Sequence, residues 1–272
     1  MRRIPNVFAQ LHVQKRVALI PFITVGDPQR DITVPLMHAM VAAGADLIEL
    51  GIPFSDPMAD GPVIQRASER ALANGITLLD CIDVVRVFRE HNQFTPIVFM
   101  GYLNPIEIMG YDVFAIQAAA AGVDGVLIVD APPEEAQELL SILHTQHLDL
   151  IYLLAPTTTP ERIKNICNSA SGFVYYVAIK GVTGAAHLDI QAVQNRLQII
   201  RNFTQLPLGV GFGIHDPETA SRMAQFADAV IVGSAIVKKM EELQHEPTAM
   251  VASISKFLGS LRLALDAVPK PS

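Results

Sequence analysis

Glu49 stands inside Leu47-Ile48-Glu49-Leu50-Gly51, an apolar run whose only other charge is the preceding Asp46. A carboxyl at the C-terminal end of a buried strand loses solvation, which raises its pKa and suits it to giving and taking protons. The same group could equally be a structural carboxylate held by backbone donors or a lysine. Asp60 follows in Phe54-Ser55-Asp56-Pro57-Met58-Ala59-Asp60-Gly61-Pro62, a loop punctuated by proline and glycine, so two carboxylates can face one pocket. An aspartate before proline or glycine is also an ordinary turn former or helix cap. A second set is three glycine-rich turns, Gly181-Val182-Thr183-Gly184, Gly211-Phe212-Gly213 and Gly233-Ser234-Ala235. Glycine lets a backbone approach a ligand closely, and amides at a helix N-terminus attract phosphate without any cation. One such turn means little. Three, after successive late strands, point to a phosphate cradle. Gly209, Gly211 and Gly213 lack the spacing of a dinucleotide fingerprint.

Other chemistries find no purchase. The chain has no Walker lysine, no H-E-x-x-H and no G-x-S-x-G elbow, so metal and acyl-enzyme chemistry are not expected. His144 and His147 share a predicted helix face without an acidic neighbour and read as surface residues. Cys81 and Cys167 stand in no metal or disulfide spacing and read as structural thiols.

The elements that position these residues are short β-branched runs separated by helix-length segments, the pattern of buried parallel strands. They fall at 18–25, 46–51, 96–102, 124–130, 149–155, 173–179, 208–212 and 228–233. Helices are expected between them, for example over 31–43, over 132–144 and after Asp216-Pro217, where Asp caps and Pro takes the first helical position. A faint repeat, Ala43-Gly44-Ala45-Asp46, Ala121-Gly122-Val123-Asp124 and Phe226-Ala227-Asp228, puts an aspartate in front of three of the strands. Eight βα units without a linker predict an α/β fold, a single (β/α)8 barrel over residues 1–272. An extra N-terminal helix leads in, a closing helix spans 250–265, and the connections after strands two and six are extended. Phe22, Met100, Tyr102, Leu127, Tyr175 and Phe212 lie near strand C-termini, where jointly they could line a flat apolar pocket.

Composition narrows the function classes. Half of the 272 residues are hydrophobic and the formal net charge is -7, which excludes a disordered chain and disfavours nucleic acid as a partner. The early apolar stretch 17–25 contains Pro21 and is too short to cross a membrane, and no signal-type segment precedes it. A soluble, cytoplasmic protein without a membrane partner is the expectation.

The segment from Leu47 through Gln65 closely resembles the signature of the tryptophan synthase α subunit family. The likeness extends to Pro21-Phe22, Gly26-Asp27-Pro28, the turns at 181–184 and 211–214, and Gly233-Ser234-Ala235-Ile236-Val237-Lys238. It implies a cofactor-free lyase that splits indole-3-glycerol phosphate into indole and glyceraldehyde 3-phosphate by a retro-aldol reaction. By that resemblance Glu49 moves the protons and Asp60 accepts a hydrogen bond from the indole N–H. Gly184, Gly213, Gly233 and Ser234 would hold the phosphate. Phe22, Ile64, Met100, Tyr102, Leu127, Tyr175, Thr183 and Phe212 would surround the rest of the substrate. Pro53, Asp56 and Thr183 would belong to loops that close the site and signal to a partner. That partner is a pyridoxal-phosphate β subunit in an αββα complex, which receives indole through a tunnel and joins it to serine. Ala178-Ile179-Lys180 departs from the Ser or Arg that many relatives carry before the 181–184 turn. Other phosphate-binding barrels fit less well: an indole-glycerol-phosphate synthase needs a catalytic lysine at a strand end, where only Lys180 is near, and a ribulose-phosphate epimerase needs metal-binding histidines on its strands. A chain that only binds and activates a partner would not need both Glu49 and Asp60.

Overall fold

The computed structural model describes residues 2–178, 190–211 and 213–268. Eight parallel strands, β1 (Ala18–Thr24), β2 (Ile48–Gly51), β3 (Ile97–Gly101), β4 (Gly125–Ile128), β5 (Asp149–Leu154), β6 (Val174–Val177), β7 (Leu208–Gly211) and β8 (Ala229–Val232), pair in sequence order. β8 returns to β1 with Ala18 opposite Ala229, closing the barrel. The helices are α1 (Arg3–Val13), α2 (Thr33–Ala42), α3 (Pro62–Ala73), α4 (Leu78–Arg89), α5 (Leu103–Met109), α6 (Tyr111–Ala121), α7 (Gln137–Thr145), α8 (Pro160–Ser169), α9 (Ile190–Arg201), α10 (Pro217–Ala224), α11 (Ser234–Glu242) and α12 (Pro247–Asp266). All eight expected strands form, most trimmed by a residue or two where the chain bends into loops.

The strands read as continuous apolar runs because both of their faces are buried. Along β1, Ala18 and Ile20 point into the barrel with Leu47, Val98, Leu127, Ile151 and Phe173, whereas Leu19 and Ile23 face the surrounding helices. Ile4, Phe8 and Leu11 of α1 plug the N-terminal end of that interior, with the Phe8 ring 5.8 Å from Phe173. Truncating Phe173 to alanine in so dense a layer costs roughly 3–5 kcal/mol.

The aspartate repeat is the fastening of this floor. Asp46 donates its N–H to the carbonyl of Leu19 and accepts that residue's N–H at Oδ2, 2.8 Å away; Asp124 does the same with Ile97, and Asp228 with Leu208. Each carboxylate also meets an arginine, Arg262 at 2.9 Å for Asp46, Arg89 at 2.8 Å for Asp124, and Arg201 for Asp228. Arg3 adds a second cation to Asp124 and Arg2 pairs with Asp149, so α1 is tied to the same floor.

Three connections differ from expectation. The long segment after β2 contains a helix of its own, α3, started by Pro62, before α4 begins with a Thr77/Asp80 capping box. Residues 132–136 form a single turn closed by the Ala136 N–H on the Pro132 carbonyl, and α7 begins only at Gln137. Between β3 and α6 stands α5, which sequence pattern did not announce; Asp130 Oδ1 accepts the Leu103 N–H at 2.8 Å and holds its start. Most of the extended connection after β6 lies outside the described residues. Among the described residues α12 is the one helix long and apolar enough to cross a membrane. It lies against α2, α10 and α11, and Met250, Ile254, Leu258, Leu261 and Leu265 form its buried stripe.

Candidate active site

A cavity of about 130 Å³ opens at the C-terminal end of the barrel, lined in part by Phe22, Glu49, Asp60, Ile64, Met100 and Tyr175. Closed (β/α)8 barrels carry their chemistry at this end. Glu49 lies in β2, in register with Phe22 of β1 and Val98 of β3, and is 1% exposed. Its Oε1 has no hydrogen-bond partner among the described residues. Burial, with a smaller contribution from the nearby Asp60 charge, pushes the carboxyl up to about 8, so it holds its proton at neutral pH. The aromatic walls need glycine behind them. A Cβ on Gly51 would sit 2.6 Å from the Phe22 ring, and one on Gly211 2.0 Å from the Tyr175 hydroxyl.

Asp60 reaches the same cavity from the loop after β2. Tyr102 donates its hydroxyl to Asp60 Oδ2 at 3.0 Å and accepts the Ala59 N–H at 2.9 Å, while its ring stacks on Phe54 with centroids 5.0 Å apart. The loop is further held by Gln65, which donates to the Asp60 carbonyl. Burial raises the Asp60 carboxyl above its ordinary range and the Tyr102 bond opposes the rise. Tyr102 itself is pushed up by burial and by the Asp60 charge, so its hydroxyl remains a donor.

Gly213, Gly233, Ser234 and Ala235 line the same cavity. Gly233 is the N-cap of α11 and no side chain caps this helix; its first turn contains no acidic residue. Uncapped amides at the positive end of a helix dipole favour an anion. One pocket therefore joins a protonated acid, a second carboxyl fixed by a tyrosine, an apolar slot and an anion-binding helix end.

Most sequence-derived candidates meet here: Glu49, Asp60, Phe22, Ile64, Met100, Tyr175, Gly213, Gly233 and Ser234 all line the cavity. Tyr102 belongs to a small annex of about 10 Å³ that also touches Asp60 and Ile64. Leu127 is fully buried in the barrel interior, beside Met100 and Ile151, and is not part of the lining. Pro53 is buried and Asp56, which accepts the Ser55 hydroxyl at 2.6 Å, is exposed on the loop. Thr183, Gly184 and Phe212 lie outside the described residues. Sequence reasoning missed Ile214, His215 and Ile231 on the main cavity, and Thr24 and Ser68 on the annex. The Thr24 hydroxyl is buried without a partner among the described residues, a polar break in an apolar strand that was the available signal. No group of three His, Cys, Asp or Glu among the described residues is placed to hold a metal.

Comparison with known proteins places the chain in one family and agrees with the barrel fold. The family model described as tryptophan synthase alpha chain matches residues 8–265. The tryptophan synthase alpha chain of Thioalkalivibrio sulfidiphilus is 58% identical over 98% of this chain and 100% of its own length. That of Nitrosococcus oceani is 57% identical over 98% of both. Among solved structures, tryptophan synthase subunit alpha from Legionella pneumophila superposes with a TM-score of 0.92 at 44% identity, covering 98% of this chain and 100% of that one. The chain belongs to the tryptophan synthase alpha chain family.

Proposed function

We propose that this chain is a lyase that splits indole-3-glycerol phosphate into indole and glyceraldehyde 3-phosphate, with Glu49 as its proton-transfer group. The observation that carries the reading is the Glu49 carboxyl, buried, lacking a partner at Oε1 and protonated at neutral pH, in one cavity with Asp60 and the uncapped start of α11. Breaking the bond between indole C3 and the glycerol chain requires a proton at C3, which turns the ring into an electron sink. It also requires loss of the proton from the adjacent glycerol hydroxyl as that carbon becomes the aldehyde. The protonated Glu49 gives its proton to C3, and the carboxylate left behind accepts the hydroxyl proton, so the residue ends the cycle as it began. The electron pair of the broken C–C bond returns to the ring and restores indole.

Asp60 accepts the indole N–H, where positive charge grows as C3 is protonated; a fixed carboxylate there stabilises the transition state more than the ground state. Tyr102 orients that carboxylate. The amides of Gly213, Gly233 and Ser234 would hold the phosphate, and Gly184 would complete the cradle. Phe22, Ile64, Met100, Tyr175 and Phe212 would enclose the aromatic ring and chain. No step calls for a cofactor in this chain.

We further propose that the chain works with a pyridoxal-phosphate β subunit in an αββα assembly. Met58, on the loop that carries Asp60, is 85% exposed, and Ile108, on α5 beyond β3, is 79% exposed. Exposed apolar side chains beside a site offer a surface to a protein partner. Closure of the loops at Pro53, Asp56 and Thr183 would shed water and strengthen both carboxylate interactions. The test is indole release from indole-3-glycerol phosphate by the purified chain, alone and with a β subunit. Slow release alone and faster release with the partner is the expected result. No indole in either case overturns the reading.

A further inference from the structure

We propose that Arg70 is a positioning residue that sets the distance between the ring-recognising and phosphate-recognising ends of the pocket. The inference rests on the lyase reading of the site and adds a length gauge to it.

The two ends of the substrate are held at the starts of two neighbouring helices. Asp60 and Gly61 lead directly into α3, and Gly233 and Ser234 open α11. Both helices run away from the cavity side by side, packed on each other and on β1. About two turns along each, one guanidinium joins both helices to the loop after β1. Arg70 Nη1 donates to Glu241 Oε1 of α11 at 3.0 Å, while its Nε and Nη2 donate to Asp27 Oδ1 and Oδ2 at 2.6 and 3.1 Å. Arg66, one turn earlier on α3, holds the same Glu241 with a two-pronged contact at 2.6 and 2.8 Å. Asp27 belongs to the loop after β1, directly beyond the strand that carries Phe22, and is fully buried. That loop is bound to the end of α3 through Asn74, which donates to the Gly26 and Pro28 carbonyls.

Isolated surface ion pairs are weak, but a planar guanidinium that saturates a buried carboxylate and a second one is a rigid bracket. It allows α3 and α11 little freedom to slide, so the separation of Asp60 from the phosphate-binding amides is fixed from behind. A pocket with a fixed span selects chain length between ring and phosphate. The three-carbon glycerol chain is the length that the proposed reaction requires.

The experiment measures inhibition constants for indole joined to phosphate by two-, three- and four-carbon chains, in wild type, Glu241→Gln and Arg70→Lys. Glu241 is partly exposed, so its amide leaves no buried charge behind, and Arg70→Lys keeps a cation beside Asp27 without spanning both carboxylates. Wild type should prefer the three-carbon chain by about tenfold, since misplacement by an ångström is worth factors of this order or more. In both variants the preference should shrink to about twofold and KM for indole-3-glycerol phosphate should rise about fivefold, with kcat changing less. Retention of the length preference in either variant, even with a lowered melting temperature, would make the network purely structural and overturn the gauge. If wild type binds none of the three compounds, the lyase reading falls first and the gauge with it.

Discussion

The floor and the mouth of the barrel bury the same chemical group and treat it in opposite ways. At the floor, Asp46, Asp124 and Asp228 each receive a strand amide and an arginine. At the mouth, Glu49 is more deeply buried than any of them, faces another carboxyl, and leaves one oxygen without a partner among the described residues. Burial raises Asp46 and Asp124 as well, but there their amide and arginine partners oppose the rise. Glu49, without such partners, is pushed up to about 8. A paired carboxylate spends its charge on holding strands in register, whereas an unpaired one keeps a transferable proton.

The largest expected effect is on the mouth. Glu49→Gln should fold and lose about 10²–10⁴-fold in kcat, the usual range for a positioned acid–base group; steady-state indole release checks it, and wild-type turnover would erase the contrast. The matching change at the floor is Arg89→Met, which removes one of the two cations of buried Asp124, leaving Arg3, and takes the guanidinium donor from the Thr95 and Gly122 carbonyls. It should cost about 3–5 kcal/mol of stability in urea unfolding while kcat of the surviving folded enzyme stays close to wild type. Asp60→Asn should reduce kcat/KM about a hundredfold by weakening the fixed negative charge opposite the indole nitrogen, with little change in melting temperature.

A smaller effect sharpens the comparison through pH. Glu49 is raised from 4.5 to about 8 on folding, so its contribution to stability is complete below pH 4.5 and is lost as pH rises through 8. Wild type should therefore lose stability relative to Glu49→Gln across that interval, at about 1.4 kcal/mol per pH unit. Denaturant midpoints of the two proteins at matched pH values measure it. A constant difference would mean that Glu49 is ionised in the folded protein.

Much of this was legible in the chain because it is local. Strand runs such as 18–25 show themselves through their composition, and the aspartates before β2, β4 and β8 through a repeated small-residue turn. Glu49 is conspicuous as a lone charge in an apolar run. Long-range partners were not legible. Nothing near Asp46 in sequence names Arg262, and nothing near Asp27 names Arg70 or Glu241, because the barrel brings together residues from opposite ends of the chain. Helix α5 escaped because a short helix of mixed apolar and polar residues after a strand has no periodicity to display, and Leu127 was placed on the pocket because its strand position alone does not say how deep in the barrel it points.

The most direct test of the contrast between floor and mouth is to titrate the Glu49 carboxyl itself, by the infrared difference between wild type and Glu49→Gln with isotope-labelled glutamate. The account predicts a protonated-carboxyl band that persists at pH 7 and disappears with a midpoint of about 8. A band already lost below pH 6 would show an ordinary ionised carboxylate and contradict the assignment of Glu49 as the proton donor.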